Sequence, residues 1–187
     1  MNDNLESEFK SVRMYKKFGK RIIDLIISLL ALPFVVVVVI VCSPIIYITD
    51  RGPIFYNAER LGLNGSTYKM YKLRSMKVNS PDLRNEDGST FNGDDDPRVT
   101  KIGRIMRKTS IDELPQFFNV LKGEMSIIGP RPFVTTHYYG YENLSDNMKK
   151  RLSVRPGVTG YSQAYFRNSI TQNDKILNDI YYAENIS

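Results

Sequence analysis

The positions of apolar residues divide the chain into one long apolar run and a polar remainder. Residues 25–48 are almost entirely apolar, and as a helix they would extend about 36 Å, enough to cross the hydrocarbon core of a bilayer. The apolar part of a secretory signal is shorter, about 7–15 residues, and is followed by a small-residue cleavage site. Residues 43–47 do not resemble such a site. The pattern therefore predicts a membrane helix at residues 20–49, preceded by a basic flank at residues 1–19.

Two prolines interrupt the apolar run. Pro33 lies near its middle, and Pro44 follows Ser43 near its end; a proline inside a helix removes a backbone hydrogen bond and costs about 3 kcal/mol. Six basic residues lie within residues 10–21 and six within residues 51–77, so the positive charges favour neither orientation across a membrane. Two topologies stay open: a re-entrant helix that returns to the same face, and a membrane-crossing helix kinked at Pro33.

Asp24 lies at the front of the apolar run, close in sequence to Lys20 and Arg21. A carboxylate near hydrocarbon is costly unless it is paired. We therefore expect Asp24 to pair with one of these two basic residues.

The polar remainder, residues 50–187, predicts a compact α+β domain. Short apolar segments at residues 54–56 and 67–73, separated by a turn that contains Asn64-Gly65, predict a small β-hairpin. The spacing of apolar positions predicts short helices at residues 101–108, 112–121, 147–152 and 170–184. The first of these is basic and amphipathic, so it either rests on the membrane surface or packs against the core.

The composition narrows the chemistry. Among 187 residues, 26 Lys and Arg against 20 Asp and Glu give a formal charge of +6, which suits a phosphate-bearing substrate, a membrane surface or a nucleic acid. One cysteine and one histidine exclude an internal disulfide framework and argue against a zinc site or a Cys-His nucleophile. No Walker-type or Rossmann glycine pattern is present, so nucleotide binding would require another scaffold.

The densest group of chemically useful residues lies at residues 109–116, where Asp112 and Glu113 are adjacent. One interpretation is structural: Asp112 is the N-cap of the helix that follows, or Ser110 and Glu113 form a capping box. The other is catalytic, with one carboxylate holding a divalent metal such as Mg²⁺ while its neighbour attacks phosphorus as a nucleophile. The residues alone leave both interpretations open.

Phosphate chemistry also requires cations, and several are available. The planar guanidinium of arginine suits phosphate oxygens, and prolines restrict the backbone beside Arg131 and Arg155. Any one of these residues is an ordinary surface cation by itself, but several on rigid turns predict a phosphate pocket. The candidates are Lys72, Arg74, Arg98, Arg107, Arg131, Arg155 and Arg167.

An ordered series of short motifs runs through the chain. It resembles the bacterial sugar transferase family, the monotopic phosphoglycosyl transferases, over residues 16–186. In chain order the motifs are Lys20-Arg21-Ile22-Ile23-Asp24, Arg51-Gly52-Pro53, Tyr71-Lys72-Leu73-Arg74-Ser75-Met76, Asp96-Pro97-Arg98, Ser110-Ile111-Asp112-Glu113-Leu114-Pro115-Gln116, Asn119-Val120-Leu121-Lys122-Gly123-Glu124-Met125-Ser126, Gly129-Pro130-Arg131-Pro132 and Arg155-Pro156-Gly157-Val158-Thr159-Gly160.

The resemblance implies an enzyme with its catalytic domain on the cytoplasmic face of a bacterial inner membrane. Family members transfer a sugar-1-phosphate from a nucleotide sugar, usually a UDP-sugar, to polyprenyl (undecaprenyl) phosphate, and UMP leaves. The product starts a glycan such as a capsule, an exopolysaccharide, an O-antigen or a glycoprotein glycan. The family's membrane segment is a re-entrant helix, which favours the first topology. Nucleic acid is not an expected partner, and a homodimer is left open.

The same resemblance implies roles for particular residues. Asp112 is implied to be the covalent nucleophile, and Glu113 the ligand of Mg²⁺. Asp112 would attack the sugar-linked phosphate, and polyprenyl phosphate would then take the phosphosugar from it. The residues implied to bind phosphate or nucleotide are Lys72, Arg107, Arg131 and Arg155.

The chain departs from the family pattern inside the membrane helix and at its last residue. Many members have a Ser-Pro break where this chain has Val36-Val37, so Pro33 is the expected break and Pro44 the alternative. Members commonly continue past the position of Ser187 with another apolar segment, so a longer protein and a minimal form are both open.

Two other functions fit the same composition. A non-catalytic, membrane-anchored basic domain that binds anionic lipid or nucleic acid would lose its binding steeply with salt and would not depend on Asp112. A metal-dependent lipid phosphotransferase of unrelated type would use water or a hydroxyl as the attacking group and form no covalent enzyme adduct. The sequence specifies neither the sugar nor the glycan.

Overall fold

The computed structural model describes residues 18–83, 91, 93, 95–135, 140–166 and 170–185. It confirms a mixture of helices and strands with a long apolar N-terminal helix and small sheets, as expected for the α+β class. In chain order the elements are α1 (Lys20–Asp50), β1 (Ala58–Leu61), β2 (Thr67–Met70), α2 (Lys101–Thr109), α3 (Gln116–Lys122), β3 (Ser126–Ile128), β4 (Phe133–Val134), α4 (Asp146–Arg151), β5 (Gly157–Thr159), α5 (Tyr161–Tyr165) and α6 (Gln172–Asn185).

The contacts divide the chain into two units, which are described separately. Within the described residues, the first unit holds the chain up to residue 32, residues 58–70 and the chain from residue 116 onward. The second unit holds residues 33–57 and 71–115.

Helix α1 has 31 residues, so its backbone path is about 46 Å long. Among the described residues it is the one helix long and apolar enough to cross a membrane. Most of its large apolar side chains are exposed, with Leu30 and Ile48 more than 75% exposed, as a lipid-facing helix requires. The helix continues through Pro33 and Pro44, so a change of direction at either proline would be a kink within one helix. Re-entry with a break near Pro33 stays a prediction.

In the first unit, the front of α1 is held to β3 by a buried carboxylate. Asp24 is 5% exposed, its Oδ2 is 3.7 Å from Lys20 Nζ, and its Oδ1 accepts a hydrogen bond from the backbone N–H of Ile127 at 3.0 Å. The expected pairing of Asp24 with a basic neighbour is confirmed.

Two small sheets form the body of the first unit. Strands β2, β1 and β4 make an antiparallel sheet in that order, and β3 pairs with β5 in parallel. The turn between β1 and β2 contains Asn64 and Gly65, both with positive φ (51° and 76°), a conformation that Asn and Gly adopt with the least strain. The buried core comprises Tyr68, Met70, Val120 and Met125.

The hairpin is confirmed, but the prediction of its first strand was wrong. The strand begins at Ala58 and ends at Leu61, whereas residues 54–56 contribute only an isolated bridge between Phe55 and Leu73. The helices predicted at residues 101–108, 147–152 and 170–184 are present as α2, α4 and α6.

In the second unit, α2 packs closely against the chain that follows β2. The side chain of Thr100 accepts a hydrogen bond from the N–H of Gly103 at 3.0 Å and caps the helix. A Cβ at Gly103 would lie 1.9 Å from the carbonyl oxygen of Ser75, so only glycine allows this approach. The buried core of the unit comprises Ile46, Leu73 and Met106.

Candidate active site

Asp112 and Glu113 are held in a 3₁₀ turn, Ile111–Glu113. The turn begins because α2 ends at Thr109 and the next residue, Ser110, adopts a left-handed conformation with φ 59° and ψ 16°. The N–H of Glu113 then donates to the carbonyl of Ser110 at 3.1 Å. A helix end and a tight turn therefore fix the backbone of both carboxylates.

The structure does not contain either cap of the structural interpretation. The side chain of Ser110 makes no capping hydrogen bond, and the next α-helix begins at Gln116 rather than at Asp112. Pro115 directly precedes the first residue of this helix, a position where the missing N–H of a proline has little cost. The single helix predicted at residues 112–121 is a 3₁₀ turn followed by α3.

One lysine contacts both carboxylates. Lys72 Nζ lies 2.9 Å from Asp112 Oδ2 and 3.1 Å from Glu113 Oε1. The N–H of Leu73, the next residue, donates to the carbonyl of Asp112 at 2.9 Å, so the backbone also fixes this contact. The structure thus brings together three of the predicted site residues, which are separated by 41 positions in the sequence.

Burial distinguishes the two carboxylates. Asp112 is 1% exposed, whereas the side chain of Glu113 is 21% exposed. Asp112 Oδ2 has the ammonium of Lys72 close by but no well-aligned hydrogen bond. Glu113 is therefore the more accessible of the two carboxylates, and Lys72 supplies the positive charge beside the buried Asp112.

Three of the predicted arginines lie in the same unit as this turn, and Arg107 and Arg74 have different partners. Arg107 Nε donates to Ser75 Oγ at 3.0 Å, which orients the guanidinium and leaves Nη1 and Nη2 without a hydrogen bond to the described residues. Arg74 is buried, and its Nη1 donates to Asp50 Oδ2 at 2.8 Å. The same carboxylate accepts from the N–H of Val78 at 2.5 Å, so Arg74 helps to fix the end of α1.

Arg98 forms a buried ion pair with Asp96. Its Nε is 2.9 Å from Asp96 Oδ1 and its Nη2 is 2.7 Å from Oδ2. These hydrogen bonds hold the pKa of Asp96 below its usual range. The outer nitrogens also donate to the carbonyls of Pro81 and Phe91. These are the contacts of a residue that shapes a loop, and a role for Arg98 in substrate binding stays a prediction.

In the first unit, Arg131 and Arg155 lie on two chain segments that approach very closely. A Cβ added to Gly157 would be 2.2 Å from the backbone nitrogen of Gly129, so two glycines allow the segment after β3 and the segment before β5 to run side by side. This contact places both arginines on backbone with little freedom to move.

A buried ion pair that the sequence did not reveal supports the Arg131 segment. Arg151 Nε lies 2.7 Å from Asp179 Oδ2, and both side chains are at most 5% exposed. Arg151 Nη2 donates to the carbonyl of Arg131 at 2.7 Å. Burial raises the pKa of Asp179, while the charge of Arg151 opposes the rise. The pair joins α4 to α6 across 28 positions, so no local motif reveals it.

The candidate residues therefore fall into separate groups. The turn at residues 111–113 brings together two carboxylates and Lys72. In the same unit, Arg74 and Arg98 bond to Asp50 and Asp96, and Arg107 bonds to Ser75 through Nε. Arg131 and Arg155 belong to the first unit. Arg167 lies outside the described residues, so its role stays a prediction.

Comparison with known proteins identifies the family. The profile described as "Bacterial sugar transferase" matches residues 15–187. The chain belongs to the bacterial sugar transferase family.

Three relatives of this chain illustrate the match. Galactosyl transferase CpsE of Streptococcus agalactiae is 40% identical over 183 residues, 92% of this chain and 40% of that protein. Undecaprenyl-phosphate galactose phosphotransferase of Salmonella typhimurium is 38% identical over 186 residues, 90% of this chain and 37% of that protein. Exopolysaccharide production protein ExoY of Sinorhizobium fredii is 34% identical over 194 residues, 98% of this chain and 84% of that protein. The chain thus spans less than half of the first two relatives and most of the third.

The 3₁₀ turn Ile111–Glu113 offers a metal at most two carboxylates, Asp112 and Glu113. The described residues contain no group of three or more His, Cys, Asp or Glu side chains that could hold a metal. Mg²⁺ is commonly bound by one or two carboxylates, with water and substrate phosphates completing its coordination. The half-buried Glu113 therefore fits a metal that binds together with a diphosphate.

Proposed function

We propose that this chain transfers a sugar-1-phosphate from a UDP-sugar to polyprenyl phosphate and thereby starts a bacterial glycan. The names of the relatives support this, because one is an undecaprenyl-phosphate galactose phosphotransferase and another an exopolysaccharide production protein. The observation that carries the proposal is the contact of Lys72 with both Asp112 and Glu113. This contact brings together the proposed nucleophile Asp112, the ammonium of Lys72 as a cation for phosphate, and Glu113 as a carboxylate for a metal.

The proposed reaction consists of two displacements at one phosphorus. In the first, an oxygen of the Asp112 carboxylate bonds to the phosphorus that carries the sugar, the bond from that phosphorus to the bridging oxygen breaks, and UMP leaves. In the second, a phosphate oxygen of polyprenyl phosphate bonds to the same phosphorus and the bond to Asp112 breaks. The carboxylate is restored, and the product is a polyprenyl-diphosphate sugar. Both nucleophiles are anions, so neither step needs a base.

The neighbouring side chains support these displacements. Lys72 holds Asp112 in place and offsets the negative charge that accumulates as the phosphates approach. The open nitrogens of Arg107 are available for the oxygens of the donor phosphates. Glu113 would hold Mg²⁺, which neutralises diphosphate charge and improves the leaving group when it is bound. A contribution of Arg131 to phosphate binding is part of the same proposal.

We propose that α1 is re-entrant, with both ends on the cytoplasmic face of the inner membrane. At its front, Asp24 is bonded to the backbone of Ile127; at its back, Asp50 is bonded to Arg74. Residues of the two units alternate along the polar chain, and the described residues contain no second helix able to cross a membrane. If α1 crossed the membrane, the polar segments bonded to its two ends would lie on opposite faces, and the polar chain that joins them would have to pass through the bilayer, which is costly for its backbone.

The exposed side of α2 suits the same membrane surface. Ile105 is 59% exposed and lies between the exposed basic residues Arg104 and Lys108. An apolar side chain among basic ones binds at the level of anionic headgroups.

Cysteine labelling tests the topology. A Cys42→Ser background removes the one native cysteine, and Ser11→Cys or Asn57→Cys then places a thiol before or after α1. We expect a membrane-impermeant maleimide to label both positions in inverted inner-membrane vesicles and neither in right-side-out vesicles. One position reactive in each kind of vesicle would establish a membrane-crossing helix instead.

Intact mass tests the function itself. Detergent-solubilised protein mixed with UDP-sugars and Mg²⁺, without polyprenyl phosphate, should gain the mass of one sugar phosphate and release UMP. The donor that produces the gain identifies the sugar. No gain across a broad panel, with UMP released only after polyprenyl phosphate is added, would indicate direct transfer. Salt-sensitive lipid binding without any UMP release would favour the non-catalytic basic domain.

A further inference from the structure

Two arginines of the first unit cover the turn that joins α3 to β3. Arg21, in the first turn of α1, directs Nη2 at the carbonyl of Leu121 (3.3 Å) and Nη1 at the carbonyl of Met125 (3.5 Å). Arg155 donates from Nε to the carbonyl of Gly123 at 2.8 Å. Two guanidinium groups from distant parts of the sequence therefore meet at one short segment, where the C-terminal end of a helix attracts positive charge.

Lys20 adds a third cation beside them. Its ammonium donates to the hydroxyl of Ser126 and to the carbonyl of Ile128 at 2.9 Å and lies 3.7 Å from Asp24 Oδ2, so Lys20 contributes its charge while its N–H groups are already engaged. Arg155 is close enough to repel both Lys20 and Arg21. Asp24 is the one carboxylate that these three residues contact within the described part of the chain, so the cluster holds more positive than negative charge.

Capping of α3 accounts for only part of this arrangement. A helix end carries about half an elementary charge, which does not balance two further cations. Arg155 uses Nε for the carbonyl of Gly123, and its Nη1 and Nη2 make no hydrogen bond to the described residues. The Nε hydrogen bond fixes the orientation of this guanidinium, and Nη1 and Nη2 can then donate together to one anion.

The surface of α1 changes from charged to apolar directly beside this cluster. Ile22, Ile23 and Ile26 are 55%, 45% and 52% exposed. The matching ligand has an anionic head and a hydrocarbon tail. A soluble nucleotide sugar has no hydrocarbon chain to contact the apolar surface of α1. A lipid phosphate has both an anionic group for the cations and a hydrocarbon chain for the apolar surface.

We propose that Arg21 and Arg155 bind the phosphate of polyprenyl phosphate, that the positive charge of Lys20 beside them favours the anion, and that the exposed front of α1 contacts the first part of the hydrocarbon chain of this lipid. The assignment rests on the proposed function, because it takes the acceptor from that reaction. It assigns Arg155 to the acceptor and adds Arg21, from the first turn of α1, to the substrate-binding residues.

The first test separates the two half-reactions. We expect Arg21→Gln to form the sugar-phosphate adduct at the wild-type rate. The concentration of polyprenyl phosphate that gives half-maximal discharge of the adduct should rise at least about tenfold. Lys150→Gln is the matched control: Lys150 is exposed on α4 and paired with Glu184, and its loss should change neither half-reaction. An unchanged discharge in Arg21→Gln, or slower adduct formation with normal discharge, overturns the assignment.

The second test measures binding without turnover. Protein in phosphatidylcholine nanodiscs is titrated with polyprenyl phosphate alone and, separately, with phosphatidylglycerol. We expect wild-type protein to prefer polyprenyl phosphate and its binding to weaken about tenfold in Arg21→Gln and further in the Arg21→Gln/Arg155→Gln double variant. Equal affinity of wild type and variants in folded protein, or equal affinity for phosphatidylglycerol, overturns the site. If the wild type binds polyprenyl phosphate but forms no adduct, the proposed function fails and the site stands.

Discussion

Replacing Asp112 with asparagine should abolish the sugar-phosphate adduct and lower turnover by roughly 10³-fold or more. Asparagine has the same shape as aspartate, but its amide does not attack phosphorus, so the first displacement cannot occur. We expect the variant to fold, because Lys72 keeps Glu113 as a partner at 3.1 Å. The hydrogen bond from Leu73 to the backbone carbonyl of Asp112 does not involve the substituted side chain.

Intact mass with the correct UDP-sugar measures the adduct, and thermal melting verifies that the variant is folded. Glu113→Gln should form the adduct slowly, since it weakens metal binding and leaves the nucleophile in place. Glu59→Gln, at an exposed position of β1, makes the same chemical change away from the turn and should behave as wild type. Wild-type turnover by folded Asp112→Asn would show that the nucleophile has been assigned to the wrong residue.

The sequence predicts the long apolar helix α1 well because a long apolar run has few alternative structures. The ion pair between Lys20 and Asp24 is also predictable, since residues four positions apart lie on the same helix face. The hydrogen bond from Ile127 to Asp24 is not, because its partners are 103 positions apart. Local spacing carries no information about a contact that only the folded chain creates.

The first strand of the hairpin shows where apolar pattern fails. Residues 54–56 are the more apolar segment, yet the strand forms at residues 58–61. Ala58 and Leu61 are buried there, and β1 lies between β2 and β4. Pairing on both sides therefore stabilises a segment whose own sequence is a weak indicator of strand.

The candidate site was only partly predictable from residue chemistry. Physical reasoning identified Asp112 and Glu113 as a carboxylate pair but left capping and catalysis open, and the family motifs were needed to favour catalysis. The contact with Lys72 spans 41 positions to Glu113 and follows from no periodicity. Ser75, which orients Arg107, was not predicted as a site residue, because a serine next to Arg74 in the sequence does not indicate which distant side chain it will contact.

Replacing Lys72 with methionine should slow adduct formation by about 10²–10³-fold. Methionine keeps much of the length and apolar contact of the side chain but removes the ammonium that lies 2.9 Å from Asp112 and 3.1 Å from Glu113. The two carboxylates would then repel each other and the incoming diphosphate with no cation between them. The rate of mass gain at a saturating UDP-sugar concentration measures the loss.

Two further variants separate chemistry from folding at this lysine. Lys69→Met removes the same charge from an exposed position of β2 and should retain the wild-type rate. Lys72→Arg keeps the charge without the compact ammonium, so its loss should be smaller than that of Lys72→Met. Because a buried carboxylate without a partner destabilises a protein, each rate is compared per folded molecule, with thermal melting as the check. Folded Lys72→Met that forms the adduct as fast as wild type would show that this lysine maintains the turn and takes no part in phosphoryl transfer.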